Sequence, residues 1–149
     1  MTDLDKLAKR LFKKIKWQDV PEQVGSDDLV DLLCDAIRML FVISGRTFLF
    51  SEDMFIYDTE DEERESPKYF NYDFEIDETE WILLVAQIEF YKTCRSNVDD
   101  LTSYTTDAMA VTHGDKPYKN LSNTIEGLED ERNVVWTRMV RFNQLGVAG

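Results

Sequence analysis

The chain has 149 residues, of which 43% are hydrophobic and 32% charged, and its net charge is −13. A chain of this length forms one domain by default and buries a sizeable core, so we treat residues 1–149 as one domain. Six glycines and three prolines favour helices over an array of strands and turns. The acidic balance argues against nucleic acid as a directly bound partner, because phosphate binding needs a basic surface.

Two cysteines and the N-terminal sequence bear on the cellular compartment. Cys34 and Cys94 each lie inside an apolar helical pattern, which favours free, buried thiols over a disulfide. The N-terminal MTDLDKLAKRLFKKIKW lacks the continuous apolar core of a signal peptide, and no apolar run approaches the ~18 residues of a membrane span. We therefore expect a soluble protein that is made in the cytoplasm.

Residues 2–15 form the first predicted helix, with Thr2 as the expected N-cap. Its apolar stripe consists of Leu4, Leu7, Ala8, Leu11, Phe12 and Ile15. Its other face carries Lys6, Lys9, Arg10, Lys13, Lys14 and Lys16. A basic amphipathic helix is typical of membrane-surface or partner-binding segments. A solvated face that pairs with the protein's own acids is the simpler interpretation, and we favour it.

Two further helices are apolar on more than one side. The second begins at the N-cap Ser26 and ends before Gly45 in the C′ position. Its apolar positions are Leu29, Val30, Leu32, Leu33, Ala36, Ile37, Leu40 and Phe41. The third begins at Asp77 or Thr79, runs to Ser103 and places Trp81 and Ile88 in the core. Helices of this kind lie inside a bundle or contact neighbouring subunits.

The last periodic segment begins at Leu121, capped by Asn120 or Ser122, and its apolar steps continue to Phe142. The tail at 144–149, QLGVAG, is uncharged. It is either disordered or a peptide that docks into another protein.

Residues 46–77 form an insertion of different character. Runs at 47–50, 54–57 and 69–76 predict short strands, either as a small antiparallel excursion or as an extended arm. The loop DTEDEERESP between them is expected to be solvated and mobile. Residues 51–80 contain 13 acids against Arg64 and Lys68, a local net charge of −11. The ligand spacing and turn glycine of an EF-hand are absent, so no calcium site is predicted.

The segment SYTTDAMAVTHGDKPY contains the only histidine, His113, between Asp107 and Asp115. No nucleophile with an adjacent base accompanies it, and the second histidine of most metal sites is missing. We therefore predict no catalytic, cofactor-binding or metal-binding residue. The segment is interpreted as a helix end with Gly114 at C′ and Pro117 as a stop, and as part of a protein interface.

Three pieces of the chain carry a resemblance to a known family. The run NVDDLTSYTTDAMAVTHGDKPY follows AQIEFYKTCRS and precedes a helix containing GLEDERNVVWTRMVRFN. Together with the helix LVDLLCDAIRMLFVISGR, they resemble the head-to-tail connector proteins of tailed bacteriophages, also called adaptor, neck or head-completion proteins. The resemblance covers residues 25–143, and YTTDAMAVTHGDKPY is its most specific piece. The acidic segment at 51–80 is not matched.

The resemblance implies a non-enzymatic virion protein without a cofactor. Such proteins form a homo-oligomeric ring, commonly dodecameric, that binds beneath the portal protein, extends the DNA channel without sequence-specific DNA binding and carries the next neck or tail-completion protein. The implied location is the neck of the virion, and the host cytoplasm during assembly. The expected partner-binding residues are Tyr104, Thr105, Thr106, Asp107, His113, Asp115, Lys116, Tyr118, Leu145 and Val147.

We accordingly predict a mainly α protein, a bundle of about four helices with a small β-hairpin or extended acidic insertion. A second function from another class stays open, namely a small acidic DNA mimic or inhibitor. A mimic spreads its carboxylates along a folded surface, whereas this chain concentrates them in one predicted loop. An enzyme would need a pocket assembled around His113.

Overall fold

The computed structural model describes residues 1–15, 26–104 and 115–148, with side chains described at 1–15, 27–95 and 121–140. Four helices are numbered in chain order: α1 (Leu4–Lys14), α2 (Ser26–Ile43), α3 (Ile76–Tyr104) and α4 (Asp115–Ala148). Three two-residue strands form an antiparallel sheet in the order β1 (Thr2–Asp3), β3 (Tyr69–Phe70), β2 (Phe55–Ile56). The mainly helical class with a small β element is thereby confirmed.

Helix α3 is the centre of the bundle. It contacts α1 and α2 and also α4, and all residues from 81 to 88 are buried. The predicted apolar faces of this helix are therefore covered by helices of the same chain. Its burial follows from intrachain packing and does not by itself require a neighbouring subunit.

Helices α3 and α4 run antiparallel. Arg138, late in α4, donates a hydrogen bond to Glu80 at the start of α3 (3.0 Å). The rings of Trp81 and Trp136 lie 6.2 Å apart. The apolar positions predicted for the last helix are buried at Leu121, Ile125, Val135 and Met139.

The bounds predicted for this last helix were wrong. Helix α4 begins at Asp115, not Leu121, and it continues through the predicted tail to Ala148. Pro117 therefore lies in the first turn of α4 and is not a stop. Proline is tolerated there because the first N–H groups of a helix have no intrahelical acceptor.

The end of α2 matches its sequence signal. Gly45 has φ +71°, its N–H donates to the carbonyl of Val42 (3.1 Å), and the N–H of Arg46 donates to the carbonyl of Phe41 (2.9 Å). These two hydrogen bonds form a Schellman motif with Gly45 at C′.

The start of α1 differs from the prediction. Thr2 is paired with Phe70 in the sheet, and its hydroxyl donates to the carbonyl of Tyr72 (2.6 Å). Asp3 is the N-cap instead, and its carboxylate accepts from the N–H groups of Asp5 and Lys6. The start of α1 is therefore set by a strand pairing with a partner about 70 residues away, which the sequence around Thr2 does not indicate.

The insertion contains less strand than predicted. Thr47–Leu49 and Glu52–Met54 are single 3-10 turns, and only residues 55–56 and 69–70 pair as strands. Five aromatic residues of the insertion pack instead with Phe41 of α2 as one cluster, with ring centroids 4.8 to 6.3 Å apart. The cluster consists of Phe41, Phe50, Phe55, Phe70, Tyr72 and Phe74. Packing of aromatic side chains on Phe41 therefore holds this segment in place to a greater extent than the few strand hydrogen bonds do.

Both cysteines are free thiols, with Cys34 buried and Cys94 half-buried. Burial raises the pKa of the Cys34 thiol to about 12. Among the described residues, no helix combines the length and apolar character needed to cross a membrane.

Candidate interaction surfaces

The residues predicted to bind partners fall at the two ends of α4. Tyr104 is the last residue of α3, and Asp115, Lys116 and Tyr118 lie in the first turns of α4. Because the two helices are antiparallel, these residues share one end of the α3–α4 hairpin. At 1.5 Å per residue, Leu145 lies roughly 45 Å from Lys116 along α4. The predicted set therefore forms two separate surfaces and not one site.

Several of these predicted residues lie outside the described residues. They are Thr105, Thr106, Asp107 and His113, and the predicted C′ residue Gly114 is also outside. Leu145 and Val147 lie in the last turn and a half of α4.

The structure reveals an apolar surface that the sequence reasoning missed. Met39, Val42 and Ile43 follow helical spacing on one face of α2, and all three are exposed, Val42 by 64%. Phe48 and Leu49, in the 3-10 turn after Gly45, are also exposed, Phe48 by 80%, and this turn contacts α2. We call these five residues the α2-end surface. The available signal was the unbroken apolar run 39–43, which is too long for one buried stripe.

The basic face of α1 consists of Lys6, Lys9, Arg10, Lys13 and Lys14, all of them exposed. None of these five cations forms an ion pair within the part of the chain that is described. The expected pairing with the protein's own acids is therefore not seen there. Phe12, predicted as part of the buried stripe, is 58% exposed on this helix, because residues 4, 7, 8 and 11 already fill the side that faces α2 and α3.

The acidic loop, residues 58–66, is held in place more firmly than predicted. Arg64 donates two hydrogen bonds to the Asp5 carboxylate, at 2.6 and 2.9 Å, and others to the carbonyls of Ser66 and Pro67. Ser66 is buried and donates to Asp27 (2.8 Å). The Arg64 guanidinium lowers the pKa of Asp5. The loop is therefore anchored on α1 and α2.

Comparison with protein-family models, with curated protein sequences and with solved structures finds no match.

The carboxylates of the acidic loop point to no cation site. Glu60, Asp61, Glu62, Glu63 and Glu65 are exposed. Among the described residues, no three metal-ligating side chains come together. What the structure offers is a set of surfaces: the α2-end surface, the basic face of α1, the acidic loop and the end of the α3–α4 hairpin. Surfaces of this kind are suited to contacts with other macromolecules.

Proposed function

We propose that the chain is a structural protein of a tailed-bacteriophage neck. In this role it forms a ring under the portal protein, joins head to tail and extends the channel through which DNA passes. The proposal joins the resemblance of residues 25–143 to connector proteins with the mainly helical fold. It assigns the protein no catalytic step.

The α2-end surface is the observation that carries the proposal. Contiguous exposed apolar surface on a soluble protein marks a contact with another protein, because leaving it in water costs free energy. Met39, Val42 and Ile43 belong to the helix LVDLLCDAIRMLFVISGR, one of the pieces that resembles the connector family. A subunit that is complete only within an assembly has a reason to keep such a surface exposed.

The two ends of the α3–α4 hairpin are proposed as the contacts along the channel axis. Tyr104, Asp115, Lys116 and Tyr118 lie at one end, and the last turns of α4 lie at the other. A strut about 45 Å long between two contact ends suits a protein that has the portal on one side and the next neck component on the other. The acidic loop would line or rim the channel, where carboxylates repel the phosphates of passing DNA.

The acidic DNA mimic remains a second candidate, and one observation favours it. The anchoring of the acidic loop through Arg64 and Ser66 presents its carboxylates on a fixed surface, as mimicry of phosphate spacing requires. On this alternative the partner is a basic nucleic-acid-binding protein, and a one-to-one complex replaces the ring.

The test is assembly with the portal protein encoded by the same phage genome, followed by native mass measurement and electron microscopy. We expect rings of the wild type on the portal. Val42→Asp should abolish them while the helical circular dichroism is retained. Val134→Asp is the matched control, because Val134 is exposed to a similar extent (60%) on α4 and lies outside the α2-end surface.

Two results would count against the proposal. Rings that form equally well with Val42→Asp would show that the α2-end surface is not the assembly contact. If the wild-type protein never assembles on the portal but binds a DNA-processing enzyme one to one, the connector role would be wrong and the DNA-mimic function would be favoured.

A further inference from the structure

The basic face of α1 is a concentration of positive charge in a protein whose net charge is −13. Lys6, Lys9, Arg10, Lys13 and Lys14 are exposed and form no ion pair within the described residues. Other cations of the chain, such as Arg38, Arg46 and Arg138, are paired with carboxylates. Phe12 adds an exposed aromatic ring to the same helix. Five cations without an ion pair to any described residue, together with an exposed ring on the same helix, form a surface suited to an acidic partner.

The acidic loop lies beside this basic face. The Arg64–Asp5 hydrogen bonds (2.6 and 2.9 Å) attach the loop to the first turn of α1. Arg64 and Asp5 also line, with Lys9, Phe12 and Lys13, a shared surface depression of about 540 Å³. The loop with its five exposed carboxylates and the cations Lys9 and Lys13 are therefore neighbours on the surface. They nevertheless form no ion pair with each other in the structure.

A surface with adjacent positive and negative halves is complementary to a second copy of itself. A two-fold axis that lies in the contact plane between the halves brings each positive half onto the negative half of the other copy. We infer that the free protein forms a two-fold symmetric dimer, in which the basic face of α1 of each copy contacts the acidic loop of the other. Phe12, which lines the depression between the basic face and the loop, contributes apolar contact. This inference does not rest on the proposed function.

The net negative charge of the two copies opposes the dimer. The salt concentration determines whether this repulsion or the attraction between the contacting charges is larger. At about 0.1 M salt the Debye length is about 10 Å, so repulsion between distant carboxylates is largely screened while contacting charges still attract. At about 1 M salt the Debye length falls to about 3 Å and the contacting pairs weaken too. The dimer should therefore dissociate at high salt. An anionic lipid surface suits this side of the molecule less well, because it would meet the acidic loop together with α1.

The experiment is sedimentation velocity of the full chain at these two salt concentrations with two double variants. Lys9→Glu with Lys13→Glu leaves the basic face of α1 with three cations and two carboxylates. Glu62→Lys with Glu63→Lys leaves the loop with three of its five exposed carboxylates and two added cations. Each variant alone should weaken the dimer by about tenfold or more, because both symmetric contacts lose most of their electrostatic attraction. An equimolar mixture of the two variants should associate more tightly than either variant alone, because the unchanged basic face of one then contacts the unchanged acidic loop of the other.

The control is Glu126→Lys with Glu131→Lys on the exposed face of α4, which changes the net charge as much as the loop variant does. Its dimerisation should not fall. A wild type that is monomeric at about 0.1 M salt, or a mixture of variants that stays monomeric, would overturn the inference. Association that persists at high salt would point to the apolar α2-end surface, and flotation of the monomer with vesicles of anionic phospholipid would make a lipid surface the partner.

Discussion

Arg46 and Glu78 join the end of α2 to the start of α3 through one ion pair. Arg46 Nη2 donates to Glu78 Oε2 at 2.5 Å, and the other carboxylate oxygen accepts the N–H of Glu75 (3.0 Å). Arg46 also donates to the hydroxyls of Tyr72 and Ser44. A single guanidinium therefore connects two helix ends and the aromatic cluster, and Glu78 is buried where this happens.

Glu78→Ala should destabilise the fold, by about 2–3 kcal/mol, because it leaves the partly buried Arg46 guanidinium without its carboxylate. Glu80→Ala is the matched control: its ion pair with Arg138 is exposed, and exposed pairs contribute about 0–1 kcal/mol. Urea unfolding followed by circular dichroism measures both. Equal losses in the two variants would show that the Arg46–Glu78 pair has no special role.

Ile88→Ala should lower the free energy of unfolding by about 3–5 kcal/mol, because Ile88 is 1% exposed and its loss leaves a cavity in the core. Trp81→Ala, at 2% exposure, should cost a similar amount. Ile76→Ala is the control: it is the same isoleucine-to-alanine substitution in the same helix, at a position that is 87% exposed. It should leave the free energy of unfolding nearly unchanged. The comparison by urea denaturation separates burial from helix propensity, and similar losses at Ile88 and Ile76 would contradict the core assignment.

The Asp5–Arg64 pair should make stability depend on acid pH. The hydrogen bonds from Arg64 lower the pKa of Asp5 in the folded state. The stabilisation is therefore fully present above the unfolded pKa of about 3.9 and is lost as the pH falls through the lower folded value.

Arg64→Gln should accordingly lower the melting temperature at pH 7, and the difference from the wild type should shrink below about pH 4 as the Asp5 carboxylate is protonated. Glu63→Gln, at an exposed neighbouring position, is the control. It should have the melting temperature of the wild type both at pH 7 and below about pH 4. Thermal melts across this range give the result, and a difference that stays constant down to pH 2 would exclude the proposed linkage.

Cys34 should resist thiol reagents in the native protein. Its pKa is raised to about 12 by burial, so almost no thiolate exists near pH 8, and the thiolate is the reactive form. Cys94 is half-buried and should react first. Mass spectrometry after timed alkylation, with and without denaturant, measures the two rates, and Cys34→Ser identifies the remaining site. Rapid native modification of Cys34 would mean that α2 opens locally.

Much of the helical core could be predicted from the sequence alone. The apolar positions of α2 from Leu29 to Phe41, those of α3 around Trp81 and Ile88, and Gly45 at the helix end all follow from spacing and local backbone preference. These signals are encoded within a few turns of helix, so a single sequence suffices to recognise them. The predicted partner-binding residues and the connector role stay predictions.

Tertiary structure decided the rest. Thr2 is a strand residue because Phe70 lies beside it, the acidic loop is held because Arg64 reaches Asp5, and Phe12 is exposed because other residues of α1 fill the core. Composition and helical periodicity determined the class of the fold and most of its core, since burial of an apolar stripe repeats along each helix. Which polar residues meet, and which apolar residues such as Phe12 remain exposed, depended on contacts between distant parts of the chain. Apart from the apolar run 39–43, local sequence carries little signal for those contacts.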